Sequence, residues 1–198
     1  MSLTGNTLCI LDFDDTLFPT TNYKFILDSN NTNNQIKLEL SKHVYIDSCI
    51  LFIENACKWC EFVYIVTNAS MSWIEMCLKV IPEINEIIIK KNIMILSSRD
   101  TYISVTTDPS LWKYMSFNSI LVSIPDITNL ISIGDGLDEW IASKWSSSDN
   151  NVTYKRIMML GSPTVYDLKT QFDDLNKKIS EIIFHPYNYE HKYEVSSF

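Results

Sequence analysis

Leu8-Cys9-Ile10-Leu11-Asp12-Phe13-Asp14-Asp15-Thr16 is an apolar run that breaks into carboxylates. Four apolar residues in succession suit a short strand buried on both faces, as in a parallel sheet. In an open α/β sheet the C-terminal end of such a strand faces the ligand crevice, so chemistry is expected at Asp12 and Asp14. Alternation along an extended chain turns those two side chains to one side and Phe13 to the other. Neighbouring carboxylates repel unless a cation lies between them or one of them holds a proton. A hard cation such as Mg2+, which takes oxygen ligands, meets the first condition. The second would make one aspartate a general acid. The same cluster also suits a solvated turn with capping side chains, and Asp15 is expected to act as such a cap.

Working outward, four more runs resemble the first: Phe62-Val63-Tyr64-Ile65-Val66, Ile93-Met94-Ile95-Leu96, Leu130-Ile131-Ser132-Ile133 and Ile157-Met158-Met159-Leu160. Between them the apolar spacing is helical: about 44–60, with Ile46, Ile50, Ile53 and Cys57 on one face, then 70–80, 83–91, 109–122 and 137–146. Pro82 and Pro125 punctuate these stretches. Strands alternating with helices predict a doubly wound α/β fold, a mostly parallel sheet of about five strands with helices on both faces. After Gly161, the stretch from Pro163 to about Ile183 places Val165, Leu168, Phe172, Leu175 and Ile179 on one helical face. The polar segment Ser29-Asn30-Asn31-Thr32-Asn33-Asn34-Gln35 reads as a surface loop. The aromatic and charged tail, 184–198, carries no clear element.

A chain of 198 residues, 46% of them hydrophobic, suits one domain over 1–198 with its core at about 6–183. The net charge of -8 argues against general affinity for nucleic acid or anionic membrane, both of which need a basic face. An acidic protein that handles phosphates must create positive charge locally, through a metal or a placed lysine. The five cysteines form an odd set without a secreted framework, and no run approaches the length of a membrane span, so a reduced, cytoplasmic setting is expected. Cys57-Lys58-Trp59-Cys60 has the spacing of a redox or zinc pair, but it lies in a helical stretch with no second pair or nearby histidine. It reads as packed thiols.

Three further segments should reach the same rim as Asp12. They are Thr67-Asn68 after the second strand, Lys113 near the start of a helix, and Gly134-Asp135-Gly136-Leu137-Asp138-Glu139 after the fourth strand. Together with Asp12-Phe13-Asp14-Asp15-Thr16, these motifs resemble, in order, the four signatures of haloacid dehalogenase (HAD) superfamily phosphatases. They span roughly 130 residues, most of the chain. The resemblance implies that Asp12 is a nucleophile forming an aspartyl-phosphate and that Asp14 is the general acid and base. It also implies that Thr67, the Asn68 backbone amide and Lys113 bind the phosphoryl group. Mg2+ would be bound by Asp12, the Asp14 backbone carbonyl and Asp135, with Glu139 directly or through water. Glu139 lies about one helical turn beyond Asp135, and Asp138 is the alternative if the loop shifts by a residue.

Neither the gap between the first motif and the next helix nor that between Leu96 and Lys113 is long enough for a cap domain, so the chain resembles the capless branch. An open site favours a large phosphorylated substrate, such as a phosphoprotein, whose own surface closes it. Phe18 to Leu27, with Tyr23 and Phe25, is expected to contact the leaving group. The competing class is a catalytically inactive HAD-fold binding or scaffold protein.

Overall fold

The computed structural model describes residues 6–27 and 43–194; the Asn-rich stretch 29–35 and the end of the tail, 195–198, lie outside them. Its strands are β1 (Asn6–Leu11), β2 (Phe62–Thr67), β3 (Met94–Ser97), β4 (Ile127–Gly134), β5 (Thr153–Met158) and β6 (Tyr189–Lys192). They form one sheet in the order β3-β2-β1-β4-β5-β6, with every neighbouring pair parallel. The described helices are α1 (Thr20–Leu27), α2 (Ile46–Trp59), α3 (Met71–Val80), α4 (Pro82–Lys90), α5 (Ser98–Tyr102), α6 (Pro109–Ser123), α7 (Leu137–Asn150) and α8 (Val165–Phe184). The fold is thus doubly wound α/β, with six strands in place of the expected five.

Alternation along β1 sets the two layers. Leu8 and Ile10 pack with Phe117, Ile120 and Leu121 of α6 and Ala142 of α7. Cys9, Leu11 and, beyond the strand, Phe13 turn to the opposite face, among residues of α2, α3, α4 and α8. There Phe52 and Phe172 meet with ring centroids 5.4 Å apart. The amphipathic face read from 163–183 is the buried face of α8, and a capping box between Thr164 and Asp167 starts that helix. Tyr23 is partly buried against the same core and Phe18 is buried in it, while the side chain of Phe25 lies outside the described residues. All five cysteines are free thiols, with Cys57 on α2 and Cys60 just past its end. No described helix is long and apolar enough to cross a membrane.

Two departures from the sequence expectation sit at one edge. The fifth strand is Thr153–Met158, upstream of the apolar run 157–160, and it carries two charges inward. Lys155 is fully buried and donates to Asn129 Oδ1 at 2.6 Å. The Arg156 guanidinium lies 4.0 Å from the ring centre of Trp140 and 4.9 Å from that of Tyr154, and it pairs with Glu190. Those partners make a charged strand tolerable, and hydropathy alone does not reveal them. Glu190 also belongs to β6, which lies in the tail that the sequence leaves without an element.

Burial lowers the Lys155 ammonium from 10.5 to about 8. The unfolded chain therefore holds this proton more tightly, and stability from Lys155 rises with pH between those two values. Urea unfolding should show the native chain gaining stability relative to Lys155→Met across that interval. A difference that stays flat would contradict the assignment.

Candidate functional site

The strand order reverses between β1 and β4, which opens a crevice at their C-terminal ends. Leu11 pairs with Ile133, and the Asp12 amide donates to the Ile133 carbonyl at 2.8 Å. Asp12 therefore leaves β1 directly beside Gly134-Asp135 at the end of β4. It continues the even-numbered face of β1, toward α6, while Phe13 enters the opposite core.

Lys113 comes from α6. Asp108 caps this helix by accepting from the Ser110 amide, and Pro109 fills its first turn, where its missing N–H costs nothing. One turn later the Lys113 ammonium is buried and donates to Asp12 Oδ1 at 2.7 Å and to Glu139 Oε2 at 2.6 Å. Glu139 is held from both sides, because its Oε1 accepts from the Gly136 amide at the start of α7. A Cβ at Gly134 would overlap this carboxylate and one at Gly136 would crowd it, so glycine is required at the first position for the group to seat.

Asp12, Asp135 and Glu139 each place one carboxylate oxygen within 4.8 Å of the others. The separated motifs therefore meet at one point. Burial raises the Asp12 carboxyl well above the usual range, against the pull of Lys113 and with the support of Glu139 and Asp135. Burial likewise lifts Asp135 to about 7, helped by Glu139 and Asp15. Burial also works against Glu139, but Lys113 outweighs it and keeps that group ionised below the usual value. Lys113 loses to burial first, yet the two carboxylates raise its ammonium well above the ordinary lysine range. One ammonium thus faces three acids, and the balance calls for a proton or another cation. The all-oxygen donor set suits a hard divalent ion, although nothing in it selects one metal.

Asp14 stands apart from this trio. Its Oδ1 accepts from Thr20 Oγ1 at 2.5 Å and from Trp73 Nε1 at 2.8 Å, and its Oδ2 from Thr67 Oγ1 at 3.2 Å. Thr67 is buried at the end of β2 and also accepts from the Ala69 amide. Asn68 is directed sideways, donating to Asp138 Oδ2 at 3.0 Å and to the Pro109 carbonyl at 3.3 Å. Of the two candidate acids, Glu139 joins the cluster and Asp138 instead braces the loop that carries Asn68. Asp15 is a cap: with φ of 50° it accepts from the Thr21 amide at 2.8 Å and from the Thr21 hydroxyl.

The sequence reading passes over Thr20 and Trp73, two of the three donors that aim Asp14. Trp73 lies one turn into α3, which Ser70 caps directly after Thr67-Asn68. An N–H donor at that offset was the available signal. Compared with known proteins, the chain matches no family model, no curated protein and no solved structure.

Replacing Lys113 with Met removes the ammonium while keeping the stem's bulk, and leaves Asp12 and Glu139 buried without it. Loss of one partner from a buried pair costs about 3–5 kcal/mol, and urea unfolding at neutral pH should show a loss of this size. A loss below about 1 kcal/mol, the scale of an exposed pair, would mean that the cluster is solvated.

Proposed function

We propose that this chain is a Mg2+-dependent phosphomonoesterase of the HAD type. The observation that carries the reading is the meeting of Asp12, Lys113, Asp135 and Glu139 at the sheet's switch point, with Asp14 two residues beyond Asp12. Phosphoryl transfer needs an in-line nucleophile and neutralised charge more than it needs strong acid, and these residues provide both.

Asp12 is the nucleophile. Its Oδ1 is engaged by Lys113, which leaves Oδ2 to attack phosphorus. As the new O–P bond forms, the ester P–O bond breaks and its electron pair passes to the leaving oxygen, which takes a proton from Asp14. Asp14 then accepts a proton from water as the water oxygen attacks phosphorus; the new P–O bond forms, the P–O bond to Asp12 breaks with its electron pair returning to the carboxylate, and phosphate is released. Lys113 donates to the nonbridging oxygens with the Asn68 backbone amide beside it, and the Thr67 hydroxyl turns its one proton from Asp14 Oδ2 to them when phosphate binds. Thr20 and Trp73 hold the Asp14 carboxyl on the leaving-group side. Asp12, Asp135, Glu139 and the Asp14 carbonyl would hold Mg2+, which supplies charge neutralisation at the phosphate. The acidic net charge favours a phosphoprotein over nucleic acid as the large substrate.

Hydrolysis of p-nitrophenyl phosphate is expected with Mg2+ present, and is expected to vanish with EDTA or in Asp12→Asn. Turnover that survives both treatments would exclude the mechanism, and its absence in every condition would favour the binding or scaffold class. Calorimetry with Mg2+ should show affinity falling as pH drops through about 7, where Asp135 takes up a proton that the ion must displace. In Asp135→Asn the part of that pH dependence centred near 7 should be lost.

A further inference from the structure

Beside Asp14 lies an open cavity of about 410 Å³, whose lining includes Asp14, Thr20, Asn68, Trp73 and Arg99. Its volume falls within the roughly 300–1,000 Å³ common for ligand sites. The Asp14 carboxyl occupies one wall, and a leaving oxygen must lie against that carboxyl to receive its proton. The body of the leaving group therefore extends into this cavity, on the reading of the site as a phosphatase. Trp73 presents a half-buried indole whose position is fixed by its bond to Asp14.

Among the described residues Arg99 is the only cationic one in the lining. Among the described residues its guanidinium makes no hydrogen bond and no ion pair. The acids close to it in sequence are otherwise engaged: Asp100 accepts from the Met71 amide at 2.8 Å, and Asp108 from the Ser110 amide and hydroxyl at 3.0 and 2.8 Å. In a chain of net charge -8, an exposed guanidinium that no described side chain engages, on the wall of a cavity beside the proposed phosphate-ester site, is open to an incoming anion.

We propose that the site selects phosphate monoesters whose leaving group carries a second anion, a carboxylate or another phosphate. Arg99 binds that anion, and Trp73 packs on the carbon skeleton between it and the ester oxygen. Arg99 is a specificity residue remote from phosphorus, so its contribution appears in the choice among esters.

The test compares phenyl phosphate, 4-carboxyphenyl phosphate and 1,4-phenylene bisphosphate as substrates of the native chain, Arg99→Ala and Arg99→Lys. Within each protein the ratio of kcat/KM for a doubly anionic ester to that for phenyl phosphate is measured. Comparing these ratios between proteins cancels the esters' intrinsic reactivity. The ratio should fall at least tenfold in Arg99→Ala and be partly kept in Arg99→Lys. Whichever doubly anionic ester shows the larger fall identifies the anion. Equal ratios in the native chain and Arg99→Ala would overturn the proposal.

If no protein hydrolyses any ester, calorimetry with benzylphosphonate and 4-carboxybenzylphosphonate decides the subsite separately from the reaction. Tighter binding of the carboxylated compound that depends on Arg99 would leave the subsite standing while the proposed reaction falls. Equal affinities, or no binding of either compound, would overturn the subsite.

Discussion

A buried ammonium between two buried carboxylates governs this molecule's candidate site. Lys113 must lose its hydration to reach Asp12 and Glu139, and those carboxylates must lose theirs to accept it. Each desolvation is costly by itself and tolerable only when all three groups meet with good hydrogen-bond geometry. The surrounding structure serves this meeting. Asp108 and Pro109 set where α6 starts, Gly134 leaves room for the Glu139 carboxylate, and the Gly136 amide takes up the oxygen that Lys113 does not use.

Charge balance links that arrangement to chemistry. Lys113 compensates Asp12 and Glu139, but Asp135 adds a third acid to the same point, and burial, with Glu139 and Asp15 beside it, raises its affinity for protons. A fold without use for a further positive charge would more cheaply place an amide or hydroxyl there. Asp14 is treated differently: it is kept out of the acidic trio and aimed by Thr20, Thr67 and Trp73 toward an open cavity. Two aspartates separated by one residue thus occupy unlike surroundings, the division between nucleophile and proton donor that the proposed mechanism asks for.

The helical faces of α2, α6 and α8 and four of the six strands follow from apolar periodicity, because burial against a sheet imposes a repeat that a single sequence displays. The edge formed by β5 and β6 escapes that logic. Lys155 and Arg156 lie inside β5 only because Asn129, Trp140 and Glu190 are waiting for them, and β6 exists only because β5 offers it an edge. Such partners are distant in the chain, so no local pattern announces them.

The sequence by itself determined the alternation of strand and helix, the central strand that ends in carboxylates, and the positions at which polar groups would interrupt buried runs. These are properties of neighbouring residues and of the backbone's fixed periods. Tertiary structure decided which polar groups meet: Glu139 and not Asp138 at the cluster, Trp73 and Thr20 on Asp14, and Arg99 at the cavity wall with no partner among the described residues. Those outcomes turn on differences of a few ångströms between segments tens of residues apart, where hydrogen bonding and desolvation are settled by the packed fold.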